Sequence, residues 1–168
     1  MKTIKKIMNY TAPPERVFRV IDDLGVTGMH MTQSSGMMMG SKFDLSFLTQ
    51  NHTGLGTKYR WTGKMTGMKM DFTVEVTKWI QGKEKTWETI GETKLIIYSW
   101  FRMHLDVSQT NQVTQAELSI SYEKPKDFFY RILSFLAADW YGRWCLNSML
   151  TDAKKTLATP DAEFTPHR

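Results

Sequence analysis

Asp139 and Arg143 stand four residues apart in the apolar segment that closes the chain, a spacing at which a carboxylate and a guanidinium meet on one face of a helix. At about 100° per residue, Ile132, Leu136, Leu146, Leu150, Ala153 and Leu157 form one stripe, and both charges fall inside it. If the helix is continuous, the pair points toward whatever the stripe covers. Charges there must be paired or solvated, because an isolated one costs several kcal/mol. A cavity with ordered water meets that demand, and the pair would then orient the polar end of a bound molecule. If instead the helix breaks at Ala137-Ala138 or Gly142, the pair sits in solvent at a rim. Asp139, desolvated, and His30, in a loop, are the two candidate general bases, and no catalytic residue is assigned beyond them.

Two further groups have types suited to gripping an apolar molecule. Tyr59, Trp61, Phe72, Trp87, Phe101 and Met103 can point inward from strands, with Trp140 and Trp144 flanking the helical stripe. They stack on a planar or steroid-like ligand or simply fill a core. Met29, Met31, Met37, Met38 and Met39 are crowded into one glycine-rich stretch. Methionine adapts to irregular apolar shapes, so these residues read as a greasy gate over a pocket mouth or as gap-fillers.

Other chemistries find no support. His30, His52, His104 and His167 stand at no metal-ligand spacing, and the lone Cys145 completes no zinc motif, so no metal is expected. No nucleophile elbow, dinucleotide fingerprint or phosphate loop occurs, and no cofactor is expected. The net charge of +5 is spread along the chain without a block of like charges, which does not imply nucleic-acid binding. One cysteine allows no intrachain disulfide and fits a reducing, cytoplasmic compartment. The N-terminus lacks a signal-peptide core, and Asp139 and Arg143 interrupt the only long apolar run, so no integral membrane contact is expected.

The elements that must position these groups are legible in outline. A strand over 3–10 leads into Ala12-Pro13-Pro14-Glu15, a strong helix start, because proline is tolerated in the first turn and Glu15 complements the dipole. The helix runs over about 14–24, followed by a second short helix or turn and an irregular loop through 34–40. From residue 42 the period becomes two, through Phe43-Leu45-Phe47, Tyr59-Trp61, Met70-Phe72-Val74-Val76, then Leu95 to Val107 as one strand, and Ala116-Leu118-Ile120-Tyr122. One apolar and one polar face per run marks an antiparallel sheet of six or seven strands, wet on one side. Residues 126–158 as one straight helix would span roughly 50 Å, longer than any strand, so this helix must overhang or break. The fold class is α+β, one domain over 1–158, with 159–168 as a disordered tail.

Ala12-Pro13-Pro14-Glu15-Arg16-Val17-Phe18 after an opening strand resembles the start of the START-like (SRPBCC) superfamily, in particular its polyketide cyclase/dehydrase and lipid-transport group. Gly54-Leu55-Gly56-Thr57, the strand Phe72 to Trp79, Ser121-Tyr122 and the long final helix continue the resemblance over about residues 3–157. It implies a helix-grip architecture, a sheet wrapped around the C-terminal helix with two small helices after strand one. It also implies a small hydrophobic ligand, since such proteins bind lipids, sterols, polyketides or plant hormones and a few are cyclases. Catalytic residues vary among them, so none is carried over. The expectation is therefore binding or transport of an apolar molecule in an internal cavity. The alternatives are a cyclase or aromatase, and an interaction module in which the cavity has collapsed.

Overall fold

The structure, a computed structural model, describes residues 1–32, 43–65 and 67–158, and of Met29, His30 and Met65 only the backbone. Met37, Met38 and Met39 of the expected gate, and the tail from residue 159, lie outside the described residues.

Strand β1 (Lys2–Tyr10) leads through Pro13 into helix α1 (Pro14–Asp22), where Arg16 and Val17 both donate to the Pro13 carbonyl at 3.0 Å. The helix expected to reach residue 24 is two helices. Asp23 takes an extended conformation (ψ 113°), and its Oδ1 accepts from the Gly25 amide at 2.7 Å, so α2 (Leu24–Thr27) starts afresh with its own cap. Helix α3 (Met29–Thr32) follows.

Strands β2 (Phe43–Phe47), β3 (Lys58–Met65), β4 (Met68–Ile80), β5 (Glu84–Lys94), β6 (Trp100–Thr110) and β7 (Val113–Glu123) join β1 in one antiparallel seven-stranded sheet of order β1-β7-β6-β5-β4-β3-β2. The period-two pattern is obeyed along β4, where Met70, Phe72, Val74 and Val76 are buried between less buried polar neighbours. Two details depart from the expectation. Leu95 to Val107 is not one strand, because residues 95–99 reverse the chain between β5 and β6. Ile96, Ile97 and Tyr98 are nevertheless buried, since this connection runs under the C-terminal helix, and its apolar character imitates a strand. Gly91, a residue type that favours turns, lies instead within β5 at φ +67°, beside a register shift against β4 between Asp71 and Thr73.

Helix α4 (Phe128–Ala158) is continuous through Gly142. Its 31 residues span about 46 Å, against about 37 Å for the eleven residues of β7, so the excess is resolved by overhang and not by a break. Gly142 has another reason to be there. A Cβ at this position would lie 3.0 Å from Ile4 Cδ1 and 3.1 Å from the Tyr98 hydroxyl. That hydroxyl donates to the Ala138 carbonyl at 2.8 Å, and the Tyr10 hydroxyl donates to the Leu150 carbonyl at 2.9 Å. Glycine thus lets the helix settle close enough for Tyr98 to reach its backbone. Gly142→Val is expected to lower the unfolding free energy by about 2–3 kcal/mol, through overpacking and the lost Tyr98 bond, as read from urea denaturation.

Candidate functional site

Between the inner face of the sheet and α4 lies an apolar cavity of about 80 Å³. Each wall follows from the strand alternation. β3 contributes Tyr59 and Trp61, β4 Met70, Phe72 and Val74, β5 Trp87, β6 Phe101 and Met103, and β7 Ile120. The buried connection adds Leu95, Ile97 and Tyr98. Leu24, Thr27, Gly28 and Met31 close one end, and Tyr141, Cys145 and Met149 of α4 form the roof. Phe72 meets Phe101 edge to face at 5.8 Å, which fixes both rings.

The strand residues expected to face a ligand therefore do come together: Tyr59, Trp61, Phe72, Trp87, Phe101 and Met103 all line this space, and Met31 of the expected gate joins them. Asp139, Trp140 and Arg143 do not. Asp139 accepts hydrogen bonds from Lys2 Nζ and from the Tyr122 hydroxyl, while Arg143 and Trp140 are exposed. The reason is that the face α4 turns inward along its first half is made of small residues, Ser134, Ala138 and Gly142. The bulky stripe that marks the inner face in the sequence points inward only from Leu146 onward.

The residues of α4 that do reach the cavity are Tyr141, Cys145 and Met149, spaced i, i+4, i+8. That spacing is present in the sequence, but the stripe of larger aliphatic residues beside it is the stronger signal. Burial pushes the Cys145 thiol up to about 12, so it stays protonated at neutral pH and is no ready nucleophile. Burial likewise raises the Tyr59 and Tyr141 hydroxyls above the ordinary tyrosine range, with the nearby Asp22 charge a second cause for Tyr59. The Tyr98 hydroxyl is committed to Ala138 and the Thr27 hydroxyl to the Asp23 carbonyl at 3.0 Å. Tyr59 and Tyr141 are the other hydroxyl-bearing residues of the lining. No carboxylate, imidazole or amine lines the cavity among the described residues.

Next to it, sharing Leu24, an open polar cleft of about 630 Å³ runs past Glu15, Arg19, Asp22, Asp23 and His52. His52 stacks on Phe47 at 3.9 Å. At the floor is an ion pair the sequence reading misses: Lys85 Nζ lies 2.5 Å from Asp22 Oδ1, with side chains only 5% and 7% exposed. Trp79 Nε1 donates to Asp22 Oδ2 at 3.1 Å, and the ammonium sits 4.9 Å from the centre of the Trp87 ring. The available signal is Lys85 standing in phase with the buried Trp87 and Thr89 on β5.

Asp139 provides a pH-dependent contact. The bond from Lys2, and then that from Tyr122, hold its carboxyl below the usual carboxylate range. A depressed carboxylate stabilises the fold above its unfolded value of about 3.9, and that contribution is lost as pH falls through the lower folded value. The contact is half exposed, so it is worth at most about 1 kcal/mol. Urea midpoints of Asp139→Asn should lie slightly below those of the native chain at neutral pH and merge with them in strong acid.

No family model matches the sequence, and no curated protein matches it. Solved structures do match. TTHA0849 from Thermus thermophilus superposes with a TM-score of 0.69 at 18% identity, covering 95% of this chain and 100% of that one. The Zhui aromatase/cyclase from Streptomyces sp. R1128 gives 0.66 at 12% identity, covering 98% and 99%. Norcoclaurine synthase from Thalictrum flavum gives 0.64 at 13% identity, covering 95% and 87%. No helix among the described residues is long and apolar enough to cross a membrane. A seven-stranded antiparallel sheet, short helices after the first strand and one long closing helix, matched nearly end to end in these structures, give this chain the helix-grip fold.

Proposed function

We propose that this chain binds a small, largely apolar, ring-bearing molecule between its sheet and α4. The observation that carries this reading is the wall itself: aromatic and aliphatic side chains from five strands converge on one partly open space, with Tyr59 and Tyr141, whose hydroxyls can serve a ligand, in its lining. Burial of apolar ligand surface, at roughly 25 cal/mol per Å², would supply the affinity, and one or two acceptors on the ligand would meet the two hydroxyls. A lining without carboxylate, imidazole or amine among the described residues favours holding over acid–base turnover. The space is small beside the roughly 300–1,000 Å³ of drug-sized sites. Met31, Met70, Met103 and Met149 are in its wall, and unbranched methionines can swing aside to enlarge it.

The purified chain is titrated with oleate, cholesterol and the flavanone naringenin, following tryptophan emission and Tm. At least one of these should change the emission of Trp61 and Trp87 and raise Tm. Absence of both effects for all three, together with a native mass spectrum free of copurified molecules, would sink the reading.

A further inference from the structure

The first half of α4 leaves uncovered a surface of unusual character. Phe128, Phe129, Phe135 and Leu136 are 79%, 68%, 74% and 73% exposed, and Ile132 and Trp140 are also exposed. At about 100° per residue these six occupy an arc of about 140°, a largely apolar stripe on the overhang that Asp139, itself paired with Lys2, interrupts. Scattered exposed hydrophobic residues need no explanation, but a stripe of this kind marks an interaction surface.

Charge decides what covers it. Beside the start of α4 lies an open cleft of about 490 Å³ with Lys124, Lys126 and Arg131 in its wall, together with Lys2, whose charge is paired with Asp139, and with Glu123 as the lone acidic residue of that wall among the described residues. Asp127, the next carboxylate along the chain, is turned onto its own helix, its Oδ1 accepting from the Phe129 and Tyr130 amides at 3.0 and 3.3 Å. Cleft and stripe are continuous, because Lys124 Nζ sits 4.6 Å from the centre of the Phe135 ring. Aromatic and aliphatic side chains next to a basic rim match the boundary between acyl chains and anionic headgroups. A second copy of the chain fits less well, since a two-fold contact through the stripe would set the two basic clefts against each other.

We propose that the overhanging end of α4 docks peripherally on a bilayer containing anionic lipid, with Phe128, Phe129 and Leu136 in the acyl boundary and Lys124, Lys126 and Arg131 on headgroup phosphates. This stands whether or not the internal cavity takes a ligand. The test is flotation of the full chain with vesicles of phosphatidylcholine alone, or of phosphatidylcholine mixed with phosphatidylglycerol. The chain should float with the mixed vesicles and only weakly with the neutral ones, and added salt should release it. Phe128→Ser/Phe129→Ser should abolish flotation, and Lys126→Gln/Arg131→Gln should weaken it roughly tenfold or more on mixed vesicles. These side chains lie at the surface, so unchanged circular dichroism is expected for both variants. Failure to float with the mixed vesicles, or equal flotation of native chain and variants, would overturn the proposal. So would a dimer in sedimentation equilibrium that Phe128→Ser/Phe129→Ser dissolves, since the stripe would then belong to a second copy.

Discussion

Lys85→Met is expected to lower the unfolding free energy by about 3–5 kcal/mol, because it leaves the Asp22 carboxylate buried without its cation. The size follows from the asymmetry between removing a buried pair and breaking it. Both side chains are more than nine-tenths buried, so little water reaches the carboxylate to replace the ammonium. The Trp79 indole still donates to Asp22, but one neutral donor does not compensate a full charge. Adding Asp22→Asn to Lys85→Met should return much of the loss, since the amide oxygen keeps the Trp79 bond and the stranded charge is gone. Urea denaturation of the two single variants and the double variant gives the coupling directly. A Lys85→Met variant within about 1 kcal/mol of the native chain would show that the pair is solvated in solution.

Phe72→Ala should cost about 3–5 kcal/mol as well, by a different route. Phe72 lies on an inner strand, is buried, and braces Phe101 edge to face, so its removal forfeits burial and leaves a void. That void opens into the cavity. The variant should therefore bind more tightly, or accept larger rings, in the same ligand titration while being less stable without ligand. At one fixed ligand concentration the tighter-binding variant gains more, about 2.7 kcal/mol where the ligand reaches about a hundredfold excess over Kd, so the rise in Tm on ligand addition should exceed that of the native chain. Equal shifts in both proteins would place ligand binding elsewhere than beside Phe72.

What the sequence discloses, and what it hides, follows from how far each signal depends on the partner it faces. Strand alternation is local, and it suffices to put Tyr59, Trp61, Phe72, Trp87, Phe101 and Met103 on the one inner face where the structure has them. The start of α1 is legible because Pro13, Pro14 and Glu15 act within one turn. The inward face of α4 is not, because it is defined by what the helix rests on. Close approach to Ile4 and Tyr98 selects Ser134, Ala138 and Gly142, residues that a search for hydrophobic bulk passes over. Such a search consequently puts Asp139 and Arg143 indoors when they stand outside. Residues 95–99 imitate a strand for a related reason, since burial under a helix demands apolar side chains whatever the backbone does.

Tyr98 and Tyr10 hold α4 by its peptide oxygens and not by any of its side chains. Such clamps are blind to residue identity at the positions they grip. Substitutions can accumulate along the exposed side of the rod without loosening its seat, provided the two phenols survive, position 142 stays bare and the buried face from Ser134 to Ala153 keeps its packing. Chains built this way can share a shape while agreeing at few positions, as this molecule and the Thermus structure do at 18% identity and a TM-score of 0.69.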